Sequence, residues 1–282
     1  RPGLSRGHGL LEPEGGGGRL EAMIFAAGRG RRLRPLTDAT PKALVDFGGI
    51  PLLERVARKL VAAGAHRLIV NAHYLAGQVA AWAEASPLGV PVFVSREDEE
   101  SPAPLDTSGG LFHARSLFEA REPFLLHNCD VVTEVDLAAL YRAHLEGEAR
   151  DERLATLAIA ERETSRPLLV DGRGVYGRAN RDEGWEVVAR DPASADEARE
   201  CGFCGIHALS PRVFERYAEG GVFSIMDSYM DWIGDGEHVG VFDATGAAWY
   251  DIGTPERLDA ARRAFGAVPA GDAAPSSERR GA

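Results

Sequence analysis

The sequence is short of several things, and each shortage closes off a class of protein. Only three cysteines occur in 282 residues, too few for a disulfide framework, so a cytoplasmic location is the expectation. Cys201 and Cys204 form a single Cys-x-x-Cys pair. Without a second pair or neighbouring histidines, that spacing reads as structural rather than as a metal or redox site. Positive charge is in deficit, 32 Lys and Arg against 43 Asp and Glu for a net charge of −11. This balance argues for no nucleic-acid partner and no anionic membrane partner. No apolar run reaches the length needed to span a bilayer. The Gly-, Arg-, Glu- and Pro-rich stretch ahead of Met23 lacks the apolar core of a secretory signal. We expect residues 1–21 to form a disordered extension, and residues 265–282, rich in small, polar and charged side chains, to form a disordered tail.

What remains is ordinary globular material, 44% hydrophobic and 27% charged, in a length that suits one large α/β domain or two small ones. Strand-like apolar runs fall at Ala22–Ala27, Arg67–Asn71, Val90–Ser95 and Pro123–His127. Helical spacing of apolar residues lies between them, at Pro51–Gly64, Leu75–Ala85 and Ser108–Phe118. This alternation predicts a Rossmann-like, mostly parallel sheet sandwiched by helices, with ligands bound beyond the carboxyl ends of the strands. The second half is less regular. Leu154–Ala160 and Phe203–Leu209 read as strands, Ser224–Ile233 and Pro255–Phe265 as helices, and Asp171-Gly172 and Glu183-Gly184 as turns. There is no internal repeat. We expect a single domain over 22–264, in two halves, 22–150 and 151–264.

Straight after the first predicted strand comes Ala26-Ala27-Gly28-Arg29-Gly30-Arg31-Arg32-Leu33-Arg34-Pro35-Leu36-Thr37, and then Pro41-Lys42. Glycines let backbone N–H groups approach an anion, and the cations neutralise it, so this is a phosphate site in outline. It is neither a Walker loop, since Gly-x-x-x-x-Gly-Lys-Ser/Thr is missing, nor a dinucleotide fingerprint, since Leu33 stands where a third glycine is needed. Pro35 and Pro41 oppose an immediate helix and predict a long irregular loop. Asp130 follows the apolar Phe124-Leu125-Leu126 run, which aims it at the same sheet edge.

The order Gly28-x-Gly30-x-Arg32-Leu33-x-Pro35-Leu36-Thr37, Pro41-Lys42, Pro104-Leu105-Asp106-Thr107-Ser108-Gly109-Gly110, Asn128-Cys129-Asp130, Phe203-Cys204-Gly205-Ile206 and Trp249-Tyr250-Asp251-Ile252-Gly253-Thr254 resembles the sugar-1-phosphate nucleotidyltransferases. Val70-Asn71-Ala72-His73 and the Asp-Thr-x-Gly-Gly loop look most like the short bacterial N-acetylmuramate-1-phosphate uridylyltransferase type. The resemblance implies attack of a sugar 1-phosphate on the α-phosphorus of an NTP, UTP favoured, releasing pyrophosphate. A phosphate nucleophile is already ionised, so positioning and charge neutralisation suffice.

The resemblance further implies Mg2+ held by Asp130 and Asp251, and catalytic roles for Arg32, Lys42 and Asp130. The resemblance also makes 22–150 the nucleotide-binding half and 151–264 the sugar-binding half, with Ala27, Gly28, Gly30, Arg32, Asn71, Asp106, Thr107 and Gly109 expected at the nucleotide and Gly205 and Arg190 at the sugar. Arg190 stands in Ala189-Arg190-Asp191-Pro192, where larger relatives carry Glu-Lys-Pro. A mannose-1-phosphate guanylyltransferase is the nearest alternative, although the chain lacks the hexapeptide repeats often attached to that enzyme. A cytidylyltransferase for a choline-type phosphate and a catalytically inactive nucleotide-sugar sensor are the others. A monomer or small homo-oligomer is expected.

Overall fold

The four apolar runs of the first half become neighbouring strands. The computed structural model describes residues 20–119, 121–216 and 221–266. Its elements are β1 (Glu21–Phe25), α1 (Leu52–Ala62), β2 (Arg67–Ala72), α2 (Ala76–Glu84), β3 (Val92–Arg96), α3 (Asp106–His113), β4 (Phe124–Asn128), β5 (Val131–Thr133) and α4 (Leu137–Asp151). They continue as β6 (Ala155–Ala160), β7 (Leu168–Asp171), β8 (Gly174–Asn180), β9 (Trp185–Val188), β10 (Arg199–Leu209), α5 (Ile225–Gly234), β11 (Val239–Asp243), β12 (Trp249–Asp251) and α6 (Pro255–Phe265).

β3, β2, β1 and β4 run parallel in that order. Such strands are covered on both faces, which is why they read as unbroken apolar runs rather than alternations. Every residue of β2 is buried. β10 then pairs antiparallel with β4, β6 antiparallel with β10, and β11 parallel with β6. The other end of the long β10 carries the antiparallel extension β7, β8, β9. β5 and β12 form a separate two-stranded ribbon. The sheet is therefore mixed, parallel where the nucleotide half was expected and mostly antiparallel beyond it.

Apolar spacing sets the layers. In α1, Leu52, Leu53, Val56, Ala57 and Leu60 make one buried stripe, and Gly64, with φ +103°, turns the chain just past its end. The α1, α2, α4 and α6 side chains share one core with Ile24, Val70 and Leu125. Those of α3 and α5 share a second with Met23, Ile69 and Leu126. The fifteen-residue α4 was not among the expected helices. Its signals are an Asp136 cap, accepting from Ala139 N at 2.9 Å, and buried Leu137, Leu140, Tyr141 and His144 at helical spacing.

Two boundaries shift by a residue or so. Leu20 and Glu21 belong to the fold: the Leu20 carbonyl accepts from His66 N at 3.0 Å and Glu21 meets Arg67 at 3.2 Å. At the other end, Phe265 completes α6 because its ring packs edge-on to Phe47, 6.4 Å between centroids. The rest of the expected extension and tail, 1–19 and 267–282, lies outside the described residues.

Register sets which residues share an edge. Phe25, Asn71 and Asn128 lie side by side at the carboxyl edge of β1, β2 and β4. Phe124, Leu209, Ala155 and Val239 mark the opposite edge.

Candidate active site

The glycine loop leaves β1 at Phe25 and is held from below. Ala26 N donates to Asn71 Oδ1 at 2.8 Å, and Cys129 N donates to the Phe25 carbonyl at 3.1 Å. Gly30 has φ +60°, and a Cβ there would lie 2.9 Å from Lys42 Cβ and 3.0 Å from Thr37 Cγ2, so backbone and packing both demand glycine. Thr37 Oγ1 donates to the Gly30 carbonyl at 2.8 Å. A single turn at Arg31–Leu33 follows, pinned by the fully buried Leu33. The apolar anchor leaves Arg31 and Arg32 exposed.

Phe25, Ala26, Gly28, Gly30, Arg31, Arg32, Lys42, Ala43, Cys129, Asp130 and Gly253 line one cavity of about 210 Å³. Lys42 Nζ donates to Asp130 Oδ2 at 2.6 Å, with the two side chains 14% and 35% exposed. The pair is thus open on the carboxylate side. Asp130 sits in the tight turn between β4 and β5. Its carbonyl accepts from Ile252 N at 2.7 Å, which lays the end of β12 against it. Asp251, paired with Val131 across the ribbon, accepts from Arg257 Nη1 at 2.7 Å. A Cβ on Gly253 would fall 3.1 Å from Arg32 Nη2 and 3.3 Å from Asp251 Oδ2, so this glycine leaves room for both groups.

Gly205, at φ +74° in the β10 irregularity, faces Asn128: a Cβ there would lie 2.9 Å from Asn128 Nδ2. It therefore borders the same edge. Ala27 is buried in the loop's root.

The Leu105–Gly110 segment is positioned differently from the expectation. Asp106 adopts φ +61° and accepts from Thr107 N. Thr107 Oγ1 accepts from Ile225 N at 2.8 Å, at the start of α5. A Cβ on Gly109 would lie 2.3 Å from the Gly221 carbonyl oxygen. The close approach that Gly109 permits is therefore to the chain's own backbone. Thr107 Oγ1 and Gly109 are thus both engaged with the chain at and just before the start of α5.

Asn71 lies beneath the site rather than on it. It is buried, its Oδ1 taken by Ala26 N and its Nδ2 donating to Glu97 Oε1 at 2.6 Å. Glu97, fully buried, accepts from Leu105 N through Oε2 at 2.9 Å. One carboxylate thus ties the glycine loop, through Asn71, to the Asp106 segment. Gly110 makes this possible, since a Cβ there would lie 2.5 Å from Asn71 Nδ2 and 2.7 Å from Glu97 Oε1. Sequence reasoning missed Glu97 because it sits in Arg96-Glu97-Asp98-Glu99-Glu100, which reads as a solvated charge run. The doubled glycine at 109–110 was the available signal. His73 is likewise supporting, its Nε2 donating to the Ser101 carbonyl at 3.0 Å.

Arg190 is a correction. It clamps Asp171 through two bonds of 2.7 and 2.8 Å and also donates to the Asp191 and Gly174 carbonyls. The Arg190 pair, helped by Ala193 N and Arg173 N, which also donate to the carboxylate, holds Asp171 far below its usual range against the cost of burial. Gly174 packs on the Val239 carbonyl, and Val239 belongs to the opposite sheet edge. Arg190 therefore stands across the sheet from Asp130 and closes the β7–β8 turn.

The cysteines are buried thiols, and burial raises Cys129 well above its ordinary value and Cys204 to about 11. Among the described residues no group of three His, Cys, Asp or Glu converges to hold a metal ion. That excludes an all-protein cage there but fits Mg2+, which takes one or two carboxylates and completes its shell with phosphate and water. Asp130 and Asp251 are both partly exposed and stand on touching backbone segments.

Loop, cation and carboxylate on one edge of a doubly wound sheet define a nucleotide-handling α/β protein. The family profile described as MobA-like NTP transferase domain matches residues 22–201, and the chain belongs to that family. It is 40% identical over 124 residues to an N-acetylmuramate alpha-1-phosphate uridylyltransferase of Neisseria meningitidis, 44% of this chain and 52% of that one. A second protein of that name, from Caulobacter vibrioides, is 30% identical over 83% of this chain and 92% of its own. Mannose-1-phosphate guanylyltransferase catalytic subunit beta of Drosophila pseudoobscura is 31% identical over 85% of this chain and 61% of its own. The chain thus spans 52% and 61% of two of these relatives. The crystal structure of HddC from Yersinia pseudotuberculosis shares the fold, with a TM-score of 0.67 at 23% identity over 88% of this chain and all of that one. Among the described residues no helix is long and apolar enough to cross a membrane.

Proposed function

We propose that this protein transfers a nucleoside monophosphate from an NTP to a sugar 1-phosphate, releasing pyrophosphate and forming an NDP-sugar. The observation that carries the reading is the single cavity in which Gly28, Gly30, Arg32, Lys42 and Asp130 converge. The loop amides and Arg32 hold the triphosphate and offset charge on the departing pyrophosphate. Lys42, an ammonium on a flexible stem, leaves Asp130 for the phosphates as they enter and follows the charge between them. Asp130 and Asp251 would hold Mg2+, which when bound neutralises phosphate oxygens and orients them. The deep anchoring of the loop keeps the reacting groups in line, so no protein base is required.

UTP and N-acetylmuramate 1-phosphate are the favoured pair, on the names of two relatives. GTP with mannose 1-phosphate is the second reading, on the name of the third. The setting we infer is cytoplasmic, with the protein a monomer or small homo-oligomer. Pyrophosphate release, measured with each NTP against a panel of sugar 1-phosphates plus Mg2+, tests all of this together. Release with UTP and N-acetylmuramate 1-phosphate is expected. Release with GTP and mannose 1-phosphate alone would select the second reading. Tight nucleotide binding with no release from any pair would make the protein a sensor instead.

A further inference from the structure

A second cavity, of about 310 Å³, lies behind Asp130 and shares no lining residue with the first. Its walls come from α1 (Arg55, Val56, Arg58, Lys59), the end of β4 (His127), β5 (Val131 to Thr133) and Glu134 just after it, with Ile50 and Phe265 completing the lining. Its charges are unbalanced. Arg58 is matched by Glu54 at 2.8 Å. Arg55 instead lies over the Phe47 and Phe265 rings, 4.9 and 5.1 Å from their centroids. Neither Arg55 nor Lys59 has an ion-pair partner among the described residues. Glu134 and Asp136 act on Lys59 only through their longer-range fields, while half-burial and Arg55 disfavour its charge.

His127 adds a directional demand. It is buried, and burial lowers its pKa to about 4, so the ring is neutral near pH 7. Its Nδ1 must donate to the Asn128 carbonyl at 2.9 Å, because a carbonyl can only accept. Nε2 is then a bare acceptor, and it is buried without a partner. An occupant that answers all three groups carries an anion for Arg55 and Lys59 and a hydroxyl donor for Nε2. Ile50, Val131 and Phe265 add apolar contact.

We propose that this cavity is a binding site for a hydroxylated organic phosphate, seated with its phosphate between Arg55 and Lys59 and a hydroxyl on His127 Nε2. The site is separate from the glycine loop, so it stands whether or not the transferase reading does. Because β5 forms its wall and Asp130 is the residue before that strand, occupancy bears on the backbone that carries the metal-side carboxylate.

Calorimetric titration of the full chain with sn-glycerol 3-phosphate tests the site, with methyl phosphate as the probe that lacks a free hydroxyl. Binding should persist in Lys42→Ala, weaken about tenfold in Lys59→Met and return in Lys59→Arg. Methyl phosphate should bind more weakly, and glycerol 3-phosphate should move the His127 ring 15N resonance in the unmodified protein, a readout that needs no variant. Loss of binding in Lys42→Ala with no effect of Lys59→Met would place the anion in the glycine loop and overturn the proposal. So would no binding at millimolar concentration. Equal affinity for methyl phosphate would overturn the role given to His127.

Discussion

The two edges of the sheet use the same residue types to opposite ends. At the carboxyl edge, Lys42 meets Asp130 through one bond, and the carboxylate is about one-third exposed. At the far edge, Arg190 grips Asp171 through both carboxylate oxygens, and the Asp171 side chain has no solvent exposure. The first pair is easily exchanged: an incoming phosphate can take the ammonium, and a divalent cation can take the carboxylate, without stranding either group. The second is locked, since four further bonds surround it, from Ala193 N and Arg173 N to Asp171 and from Arg190 to the Gly174 and Asp191 carbonyls. Chemistry needs the loose pair and a hairpin needs the tight one. Geometry and solvent access separate them where composition does not.

The largest expected effect tests the loose pair. Lys42→Met should lower kcat by about a thousandfold, the scale of a removed charge stabiliser, with little change in thermal midpoint. Pyrophosphate release against stability in the same preparations checks it. A variant that kept its rate would assign the triphosphate to Arg32 and the backbone alone.

The tight pair should fail in the other currency. Arg190→Met leaves Asp171 buried without its cation and should cost about 3 kcal/mol of stability. The rate per folded molecule should stay close to that of the unmodified protein. Urea unfolding, with turnover measured well below the transition, separates the two. A selective rise in the KM for the sugar phosphate would return Arg190 to the sugar site and undo the contrast between the edges.

The difference between the edges also explains what could be read from the sequence. Asp130 was legible because an unbroken apolar strand ends just before it, and such strands deliver their last residues to one edge. Gly28, Gly30, Arg32 and Lys42 were legible because one loop carries them all. Arg190 was misplaced because its position along the chain says nothing of where β7 and β8 turn, and only the packing of Gly174 on the Val239 carbonyl sets that turn at the far edge. Asn71 was set on the correct edge but one layer too high: a strand-terminal amide looks the same whether it faces a ligand or a backbone N–H. Glu97 was hidden by the charges beside it. α4 was hidden by its polar face, although its cap was in view.

Glu97 is the case that belongs to neither edge type, buried like Asp171 yet placed at the reacting edge. Ala26 N can only donate, so Asn71 must present Oδ1 to it and Nδ2 to Glu97. Leu105 N is also a donor. Glu97→Gln therefore sets one N–H against another whichever way the new amide turns, and one link between the glycine loop and the Asp106 segment is lost. Shape is preserved, so the fold should hold with a loss of about 1–3 kcal/mol. If Glu97 positions the nucleotide, KM for the NTP should rise about tenfold while KM for the sugar phosphate and kcat move much less. A merely structural carboxylate would instead lower the amount of active protein and leave both KM values alone. The ratio of the two KM changes, read on the folded fraction, tells the roles apart.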